Sequence, residues 1–148
     1  MAEDRSHDVE TDTERARLRA LVTRLSDADL GRAMPDGWTV AAVLAHAAYW
    51  DARAIYWLDK WARGTAPSAY EHENVDAVND AAKPLCLALP PRIAADLAIR
   101  LAEEADGKVK ALSDAMLGRI RATGGPPFNL SRASHRKEHL DDIERLLG

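Results

Sequence analysis

The chain has 148 residues, of which 47% are hydrophobic and 30% are charged, and its formal net charge is −4. These values are typical of one globular domain and exclude a disordered chain. The mixed, net negative charge argues against a nucleic-acid-binding protein, which needs a basic surface, and no apolar stretch is long enough to cross a membrane.

The first ten residues are polar and acidic, and they lack the apolar core of a signal peptide. The only cysteine, Cys86, cannot form an internal disulfide and is expected to be a small buried apolar residue. Both features favour a reducing compartment, so we expect a cytoplasmic protein. Residues 1–10 are predicted to form a flexible tail, and residues 11–148 are predicted to form the domain.

The first half of the chain predicts two helices separated by a short turn. Thr11, with Glu14 three residues later, has the pattern of a capping box at the start of the first helix. Residues 26–30 predict a short capped turn. Thr39 is a good N-cap for a long, apolar second helix that ends near Arg63.

The second half predicts two further helices. A third helical segment covers about residues 74–89, is interrupted by Pro90-Pro91, and resumes over about residues 91–112. The last helix is expected from about Asn129 to Leu147. No run of residues alternates as a strand would. The sequence therefore predicts an all-α protein, an up-down four-helix bundle.

The chain also repeats itself. Residues 25–32 match residues 112–119 at all but one position, and a loop containing Pro and Gly follows each copy. Each half then places a histidine six or seven residues past its predicted cap: His46 after Thr39, and His135 after Asn129. The pattern indicates two related helix–turn–helix halves, although Leu-Ser-Asp is also a common motif at helix ends.

Three histidines are the candidate metal ligands. His135 and His139 are four residues apart, which places both rings on one helix face, where a divalent ion can bind both. Such a pair alone is often a solvated coincidence. His46 lies among apolar neighbours, where it is either a hydrogen-bonded core histidine or a ligand, and the small alanines beside it leave room for a site. Three histidines would leave positions open for water or substrate, as in catalytic sites.

Three segments carry a resemblance to a known family: Leu25-Ser26-Asp27, then Gly37 to His46, then His135 to Ile143. From about residue 14 to residue 147 the chain resembles the DinB-like family of metal-binding four-helix bundles. In that family, one histidine on the second helix and the HxxxH motif of the last helix bind a divalent ion, commonly zinc or nickel. The resemblance implies that His46, His135 and His139 bind one such ion per chain.

The same resemblance implies an activity, because the family includes mycothiol-dependent maleylpyruvate isomerase and bacillithiol or mycothiol S-transferases. We expect a metal-dependent enzyme that transfers a low-molecular-weight thiol onto a small-molecule substrate, or performs the related isomerisation. The alternatives are a metal-dependent hydrolase and a non-catalytic stress protein that binds a metal or a small molecule.

Three further residues are candidates for binding a substrate or cosubstrate. Trp50 and Arg53 share the helix face of His46; Trp50 could instead be a core residue, and Arg53 could form a surface salt bridge. Asn79 matches a position that is often polar and near the metal in relatives, although it could equally lie on a helix surface.

Several other side chains have weaker roles. Asp142 could orient His139 or pair with Arg145. His7 and His72 are expected to be solvated. The tryptophans near the end of the second helix, Trp57 and Trp61, suggest a homodimer interface.

Overall fold

The computed structural model describes residues 2–70 and 73–148, and in these residues it contains seven α-helices and no strand. The helices are α1 (His7–Arg24), α2 (Asp27–Leu30), α3 (Val40–Ala62), α4 (Val75–Ala88), α5 (Pro91–Lys110), α6 (Asp114–Ala122) and α7 (Ala133–Leu147). The prediction of an all-α bundle is confirmed. Within the described ranges, no helix is both long enough and apolar enough to cross a membrane.

Interhelical contacts give the direction of each main helix. α1 and α5 are antiparallel, because Asp12 contacts Lys110 whereas Arg19 contacts Glu103. α7 runs parallel to α1 and antiparallel to α3; the contacts that show this are Thr11–Arg132, Arg17–Asp141, His46–His135 and Asp51–Arg132. α3 is therefore antiparallel to α1, because α7 is parallel to α1 and antiparallel to α3. Since α3 and α5 are both antiparallel to α1, they are parallel to each other. The four main helices therefore run up, down, down and up rather than alternating as predicted.

The third helical segment is two antiparallel helices and not one interrupted helix. Leu89 and Pro90 both have extended backbone angles, with ψ of 137° and 132°, so the chain turns back between α4 and α5. The contacts along α4 run in reverse order against the first half of the chain: Glu73, just before α4, contacts Arg53, Asn79 contacts Trp50, and Lys83 contacts the carbonyl of Asp36, which precedes α3. This reversal makes α5 parallel to α3.

The main core lies where α3 passes α5. α3 contributes Val40, Leu44 and several alanines to it, and α5 contributes a row of alanines: Ala94, Ala95, Ala98 and Ala102, all at most 1% exposed. Small side chains on both helices allow their backbones to approach closely. Ala45 and Ala48, beside His46, belong to this core, and Ala47 is also buried. None of the three lines either of the two clefts that open at the histidines, which are described below, so the expectation that they leave room for a site is wrong.

Two predicted helix starts are confirmed by their caps. Ser26 accepts a hydrogen bond from the backbone of Asp29, and the Asp29 side chain accepts one in return from the backbone of Ser26. Thr39 accepts a hydrogen bond from the backbone of Ala42, and α3 ends at Ala62, close to the predicted Arg63. In both cases a short hydroxyl side chain satisfies a free backbone N–H.

The predicted start of the first helix is wrong. α1 begins at His7, so Thr11 lies inside the helix and forms no capping box with Glu14. The Thr11 side chain is buried and instead accepts a hydrogen bond from the backbone of Arg132 at 3.2 Å. The boundary at residue 11 therefore falls inside a helix, while the flexibility of residues 1–10 stays a prediction.

The predicted start of the last helix is also wrong. α7 begins at Ala133, and its N-cap, Arg132, makes no capping side-chain bond. Asn129 is not a cap, so His135 does not lie six residues past its cap as His46 lies seven past Thr39. The repeat is present in α2 and α6, both capped by a serine, and is lost before α7.

Candidate metal centre

The three predicted ligands meet at one point between α3 and α7. The Nε2 atom of His135 lies 3.2 Å from Nε2 of His46 and 2.9 Å from Nε2 of His139. One ring nitrogen from each histidine lies within 4.8 Å of those of the other two. Because α3 and α7 are antiparallel neighbours, the single histidine of α3 faces the one-turn pair of α7.

Aromatic packing fixes the orientation of His46. The indole of Trp38, which lies just before the N-cap of α3, packs edge-on against the His46 ring with 5.6 Å between centroids. The rings of His135 and His139 also pack edge-on against His46, with 5.1 and 4.9 Å between centroids. His46 is 8% exposed and thus has little freedom to turn away.

The electrostatics keep these rings neutral. Burial, with a smaller contribution from the neighbouring histidines, lowers the pKa of His46 to about 4 and that of His135 to about 3. Burial also lowers the pKa of His139, although the carboxylates of Glu138 and Asp142 oppose it. A metal ligand must be the neutral imidazole, so the three rings are in the state that binding requires.

The distances fit a divalent ion. Two nitrogens bound to a tetrahedral zinc ion at about 2.0–2.1 Å lie roughly 3.3 Å apart, close to the two shorter Nε2 separations. A neutral imidazole has one N–H, so hydrogen bonds within the trio can also draw the nitrogens together. Three nitrogens that converge from two helices nevertheless form a donor set that zinc and nickel prefer.

Two clefts open onto the histidines. The first, which we call the Trp38 cleft, has a volume of about 740 Å³ and includes Trp38, Val43 and Asp142 in its lining. The second, the Trp50 cleft, has a volume of about 630 Å³ and includes Trp50, Arg53 and Pro127. His46, His139 and Asn79 line both clefts, whereas His135 lines only the Trp50 cleft.

The structure brings Trp50 and Asn79 together beside the three histidines. The Trp50 indole N–H donates a hydrogen bond to the Asn79 side-chain oxygen at 2.9 Å, which links α3 to α4. Both residues line a cleft, as a substrate-binding role requires, and neither is a purely solvated or purely core residue. This hydrogen bond joins a residue common to both clefts to a wall of the Trp50 cleft.

Arg53 also lines the Trp50 cleft, but its charge is already paired. It forms an ion pair with Glu73 at 2.7 Å, donates a hydrogen bond to the Pro127 carbonyl, and lies over the rings of Trp50 and Tyr70. The salt bridge that was the alternative interpretation is present, though its arginine is largely buried and not on the open surface.

Other predicted residues lie outside the centre. Asp142 pairs with Arg145 at 3.0 Å, the alternative to a role in orienting His139. His7 contacts Asp8 and its side chain is only 11% exposed, so the expectation that it is solvated is wrong. His72 lies outside the described residues. Tyr49 packs against Trp50 but lines neither cleft.

The tryptophans at the end of α3 do not form an exposed patch. Trp61 is 2% exposed and stacks on Phe128 with 5.4 Å between ring centroids, and Trp57 packs against the same cluster. Their predicted role as a dimer interface therefore loses its basis, and the homodimer itself stays a prediction.

A buried ion-pair network beside the histidines was missed in the sequence. Arg136 donates to both oxygens of Asp106 at 2.7 Å and to Asp51 at 3.2 Å, and Arg132 donates to Asp51 at 3.0 Å. All four residues are at most 8% exposed. One signal was available: Asp51 is a carboxylate within an apolar helix, and a buried charge needs a partner.

Comparison with known proteins identifies the family. The family model described as the DinB superfamily matches residues 10–136, which is most of the chain. The chain belongs to the DinB superfamily. The matched range includes His46 and His135 of this DinB superfamily protein and ends before His139. Searches of curated proteins and of solved structures found no match.

Proposed function

We propose that this DinB superfamily protein is a metal-dependent enzyme that transfers a low-molecular-weight thiol, such as mycothiol or bacillithiol, onto an electrophilic small molecule. The observation that carries the proposal is the convergence of three neutral histidines at the junction of two clefts. His46, His135 and His139 would hold one divalent ion, zinc or nickel. The isomerisation of a thiol adduct is the related reaction.

The residues of the chain support this chemistry in two ways. Three neutral ligands leave the ion its full double charge, and such an ion lowers the pKa of a thiol or water that binds at its open position. Trp38 and Trp50 flank the histidines and exclude part of the solvent, which strengthens electrostatic attraction at the centre.

The transfer itself balances without an oxidant or a reductant. The thiol releases its proton to solvent, and its sulfur forms a bond to the electrophilic carbon. The leaving group departs with the electron pair of the bond that breaks. A protein with this activity needs reduced thiols, so we also propose a cytoplasmic location.

Metal analysis tests the site. Protein purified without a histidine tag should contain about one zinc or nickel ion per chain, and His46→Ala and His135→Ala variants should lose it. A His7→Ala variant is the matched control, because His7 contacts Asp8 away from the centre. Full occupancy in the His46→Ala, His135→Ala double variant would contradict the proposal.

Turnover tests the activity. The His139→Ala variant should keep its helical circular dichroism but lose thiol transfer from 2-mercaptoethanol to 1-chloro-2,4-dinitrobenzene. Activity that survives both this substitution and exhaustive chelation would mean that the ion is not needed. Ester hydrolysis without consumption of thiol would instead favour the hydrolase, and metal binding without either activity would favour the binding protein.

A further inference from the structure

We propose that the two clefts bind the two substrates at the same time, with the thiol in the Trp50 cleft and a neutral or cationic electrophile in the Trp38 cleft. This inference rests on the proposed function. The geometric basis is that both clefts end at His46 and His139, but their remaining walls differ. A molecule in either cleft can therefore reach the histidines without entering the other.

The bridge between α3 and α4 separates the two spaces. Asn79 lines both clefts and accepts the hydrogen bond of Trp50, whose ring lines only the Trp50 cleft. Two adjacent residues at the start of α4 line different clefts: Val75 lines the Trp50 cleft, whereas Asp76 lines the Trp38 cleft. The start of α4 thus forms part of the rim of each opening.

The histidines assign the thiol to the Trp50 cleft. All three of them line that cleft, whereas His135 is absent from the lining of the Trp38 cleft. A group that binds opposite three ligands approaches most directly from the side that all three face. The charges that line the Trp50 cleft are also balanced, because two guanidiniums, those of Arg53 and Arg132, are matched by two carboxylates, those of Glu73 and Glu138.

Charge defines the substrate class of the Trp38 cleft. Its lining contains four carboxylates and one guanidinium, those of Asp36, Asp76, Asp80, Asp142 and Arg145. Arg145 already pairs with Asp142, and in the described part of the chain the other three carboxylates form no ion pair. A negatively charged substrate would be repelled here, because like charges brought together without compensation cost binding free energy.

A cation of the protein itself already lies against the Trp38 ring. The Lys83 ammonium lies 5.4 Å from the centroid of the Trp38 ring and donates a hydrogen bond to the Asp36 carbonyl. An aromatic face beside carboxylates is the environment that binds ammonium groups. The Trp38 cleft therefore combines an aromatic ring of a kind that accepts an ammonium group with carboxylates that attract a cation.

The test uses three ligands that do not react with one another: a thiol, an ammonium ion and a carboxylate of similar size. Benzyl mercaptan is titrated on the cobalt-loaded protein through its thiolate-to-cobalt absorption band. Benzyltrimethylammonium and benzoate are titrated on the diamagnetic zinc-loaded protein through the indole N–H resonance of Trp38, which a Trp38→Phe variant assigns. We expect the ammonium ion to bind at least about tenfold more tightly than benzoate at low salt. Its saturation should leave the dissociation constant of the thiol unchanged.

Two neighbouring substitutions should separate the clefts. A Val75→Trp variant fills the mouth of the Trp50 cleft and should weaken the thiol about tenfold while the ammonium ion binds normally. An Asp76→Trp variant should do the reverse. Both positions are exposed on α4, so the fold should tolerate either ring.

A second pair of variants separates the effect of charge on ligand binding from the effect of side-chain bulk. The Asp76→Asn, Asp80→Asn variant should weaken only the ammonium ion, whereas an Asp96→Asn, Glu104→Gln variant, with the same change in net charge on exposed positions of α5, should not. Three results would overturn the inference. The thiol and the ammonium ion could compete for binding, or benzoate could bind more tightly than the ammonium ion. The third is that the affinity for one of these ligands falls in both the Val75→Trp and the Asp76→Trp variants. Absence of any thiolate band would refute the proposed function instead, and the ammonium titration would still test the charge of the Trp38 cleft.

Discussion

α3 and α7, the two helices that carry the histidines, differ in what holds them. α3 buries 14 of its 23 residues, and apart from His46 and Asp51 all of these are apolar. α7 buries four of its 15 residues, and one of these is Arg136. α3 is thus positioned mainly by apolar burial, whereas α7 depends on ion pairs that Arg132 and Arg136 form with α3 and α5. The position of His135 and His139 therefore depends on charges that are not themselves ligands.

The buried carboxylate of α3 gives the largest expected effect. An Asp51→Asn variant removes the charge that faces Arg132 and Arg136, and breaking a buried ion pair costs about 3–5 kcal/mol of unfolding free energy. Because this pairing joins α3 to α7, the dissociation constant for zinc should also rise about 10–100-fold, as for other residues that support metal ligands. Urea unfolding and zinc competition measure the two effects.

The control for this prediction is a surface carboxylate of the same helix. Asp59 pairs with Lys108 at 2.6 Å, with both side chains more than a third exposed. An Asp59→Asn variant should cost less than about 1 kcal/mol and leave zinc affinity unchanged. Equal losses in the two variants would mean that α7 is not held by its buried charges.

A fall in pH should destabilise the metal-free protein through both helices. The pKa of His46 on α3 is about 4 and that of His135 on α7 is about 3, whereas the unfolded histidines titrate near 6.5. Below pH 6.5 the unfolded state therefore binds more protons than the folded state. Stability is lost as the pH falls toward 4, by about 1–2 kcal/mol per histidine at pH 5.

Urea unfolding of the metal-free protein at pH 7 and pH 5 checks this prediction. His46→Gln and His135→Gln variants should each remove one share of the pH dependence, so the contributions of the two helices are measured separately. An unfolding free energy that does not change between the two pH values would contradict the buried, neutral state of the rings.

The sequence predicts those features that depend on neighbours along the chain. Ser26 and Thr39 cap their helices through backbone groups three residues away, and the one-turn spacing of His135 and His139 sets their common face. The predicted starts of α1 and α7 were wrong because tertiary contacts, and not neighbours along the chain, decide where these two helices begin. Thr11, for example, is used by the backbone of Arg132, 121 positions away.

In the candidate site, the three histidines could be predicted from the sequence, but the buried charges that support them could not. The histidines carry their own chemistry, and their resemblance to a family motif joins them across the fold. The partners of Arg136 are Asp51 on α3 and Asp106 on α5, which no local spacing connects. The reversal between α4 and α5, which places Asn79 beside Trp50, also depends on two extended residues whose direction a pattern of prolines does not give.

Helix caps provide a smaller test of the difference between α3 and α7. A Thr39→Ala variant loses the hydrogen bond from the Ala42 backbone at the start of α3 and should cost about 1 kcal/mol. An Asn129→Ala variant should cost little, because Asn129 caps no helix and α7 begins at Ala133. Chemical denaturation measures the unfolding free energy of both variants. An equal loss of unfolding free energy in the two would mean that Asn129 is a helix cap, as the sequence predicted.

The smallest expected effect lies within the repeated segment itself. The single mismatch between residues 25–32 and 112–119 is Asp29 against Met116, and it falls three residues after the serine in each copy. The Asp29 carboxylate accepts a hydrogen bond from the Ser26 backbone N–H, which lowers the pKa of this carboxyl. In the second copy, Ser113 accepts a bond from the Met116 backbone, but Met116 has no side-chain acceptor to complete the pair. An Asp29→Met variant should therefore be slightly less stable than the wild type, by less than the Thr39→Ala variant. Since the pKa of Asp29 is lowered in the folded state, this contribution is present near neutral pH and is lost as the pH falls through the range where the carboxyl is protonated.

The reciprocal Met116→Asp variant should not gain stability, because Met116 packs against the cluster that contains Trp61 and Phe128 and an aspartate would lose that burial. Thermal unfolding of the two variants at pH 7 measures both changes, and a Met116→Asp protein more stable than the wild type would show that the cap outweighs the packing.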